Sequence, residues 1–115
     1  MYQRLQKLLR GKTIERTPEA QQRVDQQTAQ LTLYHFPACP FCHVVRRQIT
    51  RLALKIELRD IQQSRVWHKE LLRGGGKEQV PCLRIQEGEK TRWMYESAEI
   101  VGYLKKRFDE KQQKP

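Results

Sequence analysis

Between Leu31 and Ala53 the spacing of apolar residues changes from two to three or four, and the change falls across a segment holding two cysteines. LTLYHF, residues 31–36, alternates and is rich in β-formers, so it predicts a strand. From Pro40 onward Phe41, Val45, Ile49 and Leu52, with Val44 beside them, recur at helical spacing. Pro37 ends the strand, and Pro40 suits the first turn of a helix, where a missing N–H costs nothing. A strand that turns into an amphipathic helix constrains the rest of the chain. The helix must lie back on a sheet, and the next strand then runs parallel to the first by a right-handed crossover.

The downstream pattern meets that demand. LKIELRD, residues 54–60, predicts a second strand with Leu54, Ile56 and Leu58 on one face. Residues 62–73, with Val66, Trp67, Leu71 and Leu72, predict a helix stopped by Gly74, Gly75 and Gly76. VPCLRI, residues 80–85, reads as a third strand, QEGEK as a turn and TRWMY as a returning fourth strand. SAEIVGYLKKRF, residues 97–108, closes with a helix whose apolar face holds Ile100, Val101, Leu104 and Phe108. The β-α-β-α-β-β-α order predicts an α/β, thioredoxin-like fold with a mixed four-stranded sheet over residues 31–109.

Residues 1–30 form a basic, Gln-rich extension, helical or disordered, and residues 110–115 a polar tail. Met1, Leu5, Leu8 and Leu9 share one helical face, which Gly11 ends. Thr17 before Pro18 predicts an N-cap for a second helix reaching about Ala29. Its apolar stripe, Ala20 and Val24, is thin and predicts weak packing or a solvated helix.

At 115 residues the chain has the length of one domain. Its net charge is +10, from 23 Lys and Arg against 13 Asp and Glu, so the surface attracts anions. Acidic proteins, anionic membranes and small carboxylates fit that charge. Nucleic acid is not an expected partner, since charge alone points to it. The N-terminus shows no secretory signal, and no stretch approaches the roughly 20 apolar residues of a transmembrane segment. Three cysteines, an odd number, do not suit a secreted disulfide framework. A cytoplasmic location is expected, where a CxxC pair is catalytic or metal-binding rather than structural.

Cys39 lies where the first strand hands over to the first helix. A thiolate there would meet unpaired N–H groups and the positive end of the helix dipole, both of which favour the charged form. His35, Arg46 and Arg47 could add positive potential. Cys42 sits about one turn into the helix, on the same face, where it could resolve a mixed disulfide formed at Cys39. A metal site would need Cys82 and one of His35, His43 or His68, but their spacing matches no standard zinc pattern, so no metal is expected. Val80-Pro81 precedes a strand. Taken alone, Pro81 reads as a trans proline at a strand edge. Ser97 is a natural N-cap for the last helix. The N–H groups of Ser97 and Ala98 could hold a carboxylate, and Glu96 an ammonium group.

Together these pieces resemble the glutaredoxin family, and most closely the N-terminal domain of the glutathione-transferase-like glutaredoxins, with CPYC, then QVP, then ES-x-x-I-x-x-Y. They stand here as CPFC at 39–42, QVP at 79–81 and ESAEIVGY at 96–103. The resemblance implies Cys39 as nucleophile and Cys42 as resolving thiol. It implies that the backbone of Val80 pairs with the glutathione cysteine, that Pro81 is cis, and that Glu96 and Ser97 hold the γ-glutamyl end. Phe36 stands where many small glutaredoxins place Lys or Arg. The helical domain that transferase-like relatives carry after this one has no counterpart within these residues, so transferase activity is not expected. Cys82, just inside a strand, is expected to be a buried, inert thiol.

The implied function is a glutathione-dependent thiol–disulfide oxidoreductase acting on protein disulfides or glutathionylated client proteins. Glutathione would be a co-substrate, with no bound cofactor. The alternative is a non-catalytic binding or adaptor module that docks a partner or membrane through residues 2–10. Whether deleting residues 1–28 changes turnover or only localisation separates the two. Iron–sulfur binding through glutathione is disfavoured, because Pro40 would crowd a cluster.

Overall fold

The computed structural model describes residues 13–109. In chain order it contains α1 (Pro18–Thr28), β1 (Leu31–His35), α2 (Pro40–Arg51), β2 (Glu57–Asp60), α3 (Arg65–Glu70), β3 (Cys82–Glu87), β4 (Lys90–Met94) and α4 (Ser97–Phe108). The expected helix over residues 1–11 and the tail lie outside the described residues. The sheet runs β2-β1-β3-β4, with β1 parallel to β2 and β3 antiparallel to both β1 and β4. This is the mixed thioredoxin-like sheet that the strand order predicts.

β1 is an interior strand with cover on both faces, so all five of its residues are buried despite their alternation. Leu31 and Leu33 enter the main core with Val45, Ile49 and Leu52 from the α2 side and Ile100, Leu104 and Phe108 from α4. Tyr34 points to the opposite face, where it packs with Leu71 and Cys82. Its hydroxyl donates to Glu70 (2.9 Å) and accepts from Arg59 and Arg84 (3.3 Å each). All of its hydrogen-bonding capacity is thereby used, and α3 is fastened to the sheet through Glu70.

Several element limits differ from the sequence reading. β2 begins at Glu57, because pairing with β1 starts only at Thr32↔Glu57. Leu54 and Ile56 are buried in a non-paired lead-in, whereas Leu58 on this edge strand is 41% exposed. β3 starts at Cys82, so Val80 and Pro81 precede the ladder, and the bond between them is cis, as the family resemblance implies and unlike the stand-alone strand-edge reading. The helix expected over 62–73 starts only after Ser64, which caps it, and continues past Glu70 as one π-helical turn, Leu71–Gly75. The glycines there are steric requirements. A Cβ on Gly74 would overlap the Trp93 ring, and one on Gly75 the Tyr95 hydroxyl. Gly76 ends the turn at φ 83°, the left-handed region that glycine enters without penalty.

The segment before β1 is seated more firmly than its thin apolar stripe implies. Thr17 caps α1, its side chain accepting from the Ala20 N–H, and both Val24 and Thr28 are buried. A fully buried aliphatic side chain stabilises by about 1.5–3 kcal/mol, against about 1 kcal/mol for a cap. Docking therefore holds α1 more than its own propensity does. Arg16 donates to the Leu52 carbonyl (2.7 Å) and the Phe108 carbonyl (2.6 Å), at the ends of α2 and α4. Gln21 donates to the Ala53 carbonyl, and the Ile14 N–H to that of Arg51.

Candidate functional site

The turn from β1 into α2 carries the two cysteines. Cys39 occupies the cap position of α2, and its sulfur accepts the Cys42 backbone N–H at 3.2 Å. A cysteine sulfur here does what a serine or aspartate oxygen does at other helix starts. It fills one of the four orphan donors, in the field where negative charge is most favoured. Pro40 follows at the first helical position and leaves no further N–H there to satisfy. Both thiols are free. Cys39 keeps 5% exposure and Cys42 none, the order expected of an attacking and a resolving thiol. Cys42 is pushed up to about 12, first by burial and next by its hydrogen bond to Cys39, with a backbone hydrogen bond from Phe36 acting the other way.

The loop before Cys39 is held by a side chain of α2. Arg46 donates to His35 Nδ1 (3.0 Å), to the Phe36 carbonyl (3.4 Å) and to the Pro37 carbonyl (3.2 Å). Arginine cannot accept, so the Nδ1 of His35 is the unprotonated nitrogen. Burial, and then the Arg46 charge, lower the His35 pKa below the ordinary 6.5. At neutral pH His35 is therefore an uncharged acceptor rather than the source of positive potential that its position suggests. Arg46 stands four residues after Cys42, which places both on one helical face. That spacing was the available sign of its role.

Phe36 and Val80 share the wall of an open cleft of ≈ 300 Å³, together with Ile61, Gln62, His68 and Glu78. His68 and Glu78 pair across 3.0 Å at its rim. These residues come from the ends of β1, β2 and α3 and from the segment before β3. No local motif marks Ile61, Gln62, His68 or Glu78, and only the fold collects them. Pro81 follows Val80 directly, and the β1–β3 ladder ends at Tyr34↔Cys82.

Ser97 is not the cap of α4. It is the first helical residue, and Glu96 takes the cap position at φ 66°, ψ 113° with no side-chain capping bond. That backbone conformation is strained for a non-glycine residue. Glu96 is exposed and Ser97 half-buried, and neither lines the cleft. Cys82 is fully buried against Tyr34 and Leu71, and burial raises it to about 12, which suits the inert thiol expected there.

Among the described residues, no group of three or more His, Cys, Asp or Glu could hold a metal ion, and no helix is long and apolar enough to cross a membrane. The family profile described as "Glutathione S-transferase, N-terminal domain" matches residues 33–112. Crystal structures of maleylacetoacetate isomerase from Anaeromyxobacter dehalogenans 2CP-1 superpose on the chain with TM-scores of 0.55, 0.54 and 0.55. Identity is 23% in one and 24% in two, over 75% of this chain. Likeness at that level shows the fold. The chain spans 39–41% of the isomerase's length. One of those structures holds glutathione in its active site, and another holds dicarboxyethyl glutathione and citrate.

Proposed function

The chain belongs to the glutathione S-transferase N-terminal domain family, and on that premise we propose that it is a glutathione-dependent thiol–disulfide oxidoreductase acting through Cys39 and Cys42. The observation that carries this reading is the cap of α2, where the Cys39 sulfur accepts the Cys42 N–H and the Cys42 thiol lies buried beside it. Transfer chemistry by itself needs no second thiol at that place, whereas disulfide exchange uses one. Glutathione bound in a structure of similar fold supports the choice of co-substrate.

In this reading the Cys39 thiolate attacks the glutathione sulfur of a glutathionylated client. The client leaves as a thiolate and takes up a proton, and Cys39 becomes the mixed disulfide. A glutathione thiolate then attacks the glutathione sulfur of that mixed disulfide, releasing oxidised glutathione and the Cys39 thiolate. Client protein disulfides are opened instead by attack on a client sulfur; the Cys42 thiolate then attacks Cys39, releasing the second client thiolate and forming a Cys39–Cys42 disulfide that two glutathione thiols reduce in turn, leaving as oxidised glutathione. To attack, Cys42 must lose its proton. Part of what holds that proton, the bond to Cys39 and its charge, disappears once Cys39 is in a mixed disulfide, but burial remains. Resolution by external glutathione does not require Cys42 to lose that proton, and it is the route proposed for glutathionylated clients.

In this reading glutathione would set its cysteine on the backbone of Val80 beside Pro81, and its γ-glutamyl carboxylate at the start of α4. There the N–H groups of the first turn and the side chains of Glu96 and Ser97 recognise the amino-acid end. The net charge of +10 aids capture of acidic glutathione and acidic clients. A reducing cytoplasm is the compartment that keeps these thiols free.

Intact mass of Cys42→Ser after oxidised glutathione, then reduced glutathione, tests this. A single adduct that maps to Cys39 and is then removed is expected. An unmodified Cys39 that still alkylates would overturn the reading.

A further inference from the structure

The Phe36 carbonyl connects to Cys39 and to one charged side chain. The Phe36 carbonyl accepts the Cys39 N–H at 3.2 Å and an Arg46 N–H at 3.4 Å. Arg46 also holds the next carbonyl, Pro37, and its own orientation is set by His35 Nδ1. One guanidinium thus spans three acceptors in the loop that presents Cys39. A lysine ammonium has the charge but not the planar fork that reaches them together.

We propose that Arg46 is a positioning residue for Cys39, and that it acts only while His35 is neutral. The proposal rests on Cys39 being the nucleophile. The neutral imidazole supplies the lone pair that aims the guanidinium at the Phe36 and Pro37 carbonyls. A protonated His35 has no lone pair at Nδ1 and adds a like charge beside Arg46, so the clip opens and the Phe36–Ala38 loop loosens. The charged groups acting on His35 are Arg46 from α2 and Asp60 from β2, which oppose each other, Arg46 having the larger effect. The opening therefore falls below the ordinary histidine value of 6.5, so the clip is closed at neutral pH and opens on acidification.

The sign separates this from simple electrostatics. A new positive charge near the loop would by itself favour the Cys39 thiolate and raise its reactivity as pH falls. Loss of the clip lowers it.

The test uses the full chain carrying Cys42→Ser, with and without Arg46→Lys or His35→Asn, and follows iodoacetamide alkylation of Cys39 by peptide mass. Circular dichroism checks that each variant is folded. Asn places an amide oxygen where Nδ1 stood and does not titrate. Arg46→Lys keeps the charge and should slow alkylation several-fold, up to the roughly 100-fold that a 1 Å misplacement can cost. His35→Asn should match its parent above the histidine range. The parent-to-variant rate ratio should then fall below one as pH drops under the histidine range. An Arg46→Lys chain that reacts as fast as its parent overturns the proposal, and so does a ratio that stays flat or rises on acidification. Should Arg46→Lys not fold, the His35→Asn ratio decides alone. Because alkylation needs no glutathione, the result is readable even if the adduct experiment above fails.

Discussion

The two ends of α2 are finished in opposite ways. At its N-terminus an orphan N–H meets the sulfur of Cys39, the thiol proposed to react. At its C-terminus the chain is closed by hydrogen bonds from distant residues. Arg16 takes the Leu52 carbonyl, Gln21 that of Ala53 and the Ile14 N–H that of Arg51. A cation there complements the negative end of the dipole, while at the positive end the Cys39 sulfur accepts an N–H. The hydrogen bonds from distant residues are thus gathered at the C-terminal end. In the proposed mechanism the N-terminal end depends on one sulfur contact and on the Arg46 hydrogen bonds.

Substitutions at either end put that contrast to the test. The largest effect is expected for Cys39→Ser, which should remove turnover on a glutathionylated peptide, followed by glutathione-coupled assay. Cys42→Ser should keep most of that turnover and lose it only on client disulfides. Equal loss in both variants would mean that the resolving thiol is obligatory. Next, Arg16→Ala removes charged hydrogen bonds to two helix ends, each worth about 1.5–3 kcal/mol. It should lower unfolding free energy by that order in denaturant titration, while Cys39 alkylation in the folded protein is unchanged. A change in alkylation would show that the two ends communicate through the helix. The smallest effect is expected for Thr17→Ala, which removes the α1 cap at about 1 kcal/mol, again with no effect at Cys39. Loss of cooperative unfolding in that variant would show α1 to be a separate unit.

Seating of α1 also changes how the adaptor alternative must be tested. Deleting residues 1–28 would remove Arg16 and Val24 along with the basic N-terminus, and so would confound docking with unfolding. Removing residues 1–12 alone leaves both anchors in place.

Much of the fold could be read directly, and the reasons are local. The α4 limits, Ser97–Phe108, follow from an apolar face repeated over three turns. The Thr17-Pro18 start of α1 is written in two adjacent residues. The CPFC turn is where one periodicity replaces the other. Limits differ where tertiary pairing overrides composition. Leu54 and Ile56 look like strand residues and are buried like them, but they have no partner strand beside them, since β1 pairs only from Glu57 onward. Glu96 caps α4 in place of the better capping residue because the chain enters the helix at a positive φ that no short-range preference would choose.

The order of elements, the placing of Cys39 and Cys42 at a strand-to-helix turn, and the basic surface are all present in the sequence. Each depends on residue types within a few positions of one another. The cis state at Val80-Pro81, the cleft shared by Phe36 and Val80, and the approach of Gly74 to Trp93 arise only in the folded chain. So does the reach of Arg16 to carbonyls 36 and 92 positions away. Periodicity and capping act over one or two turns of chain. Contacts at such separations depend on the path of the whole backbone, which no short window of sequence contains.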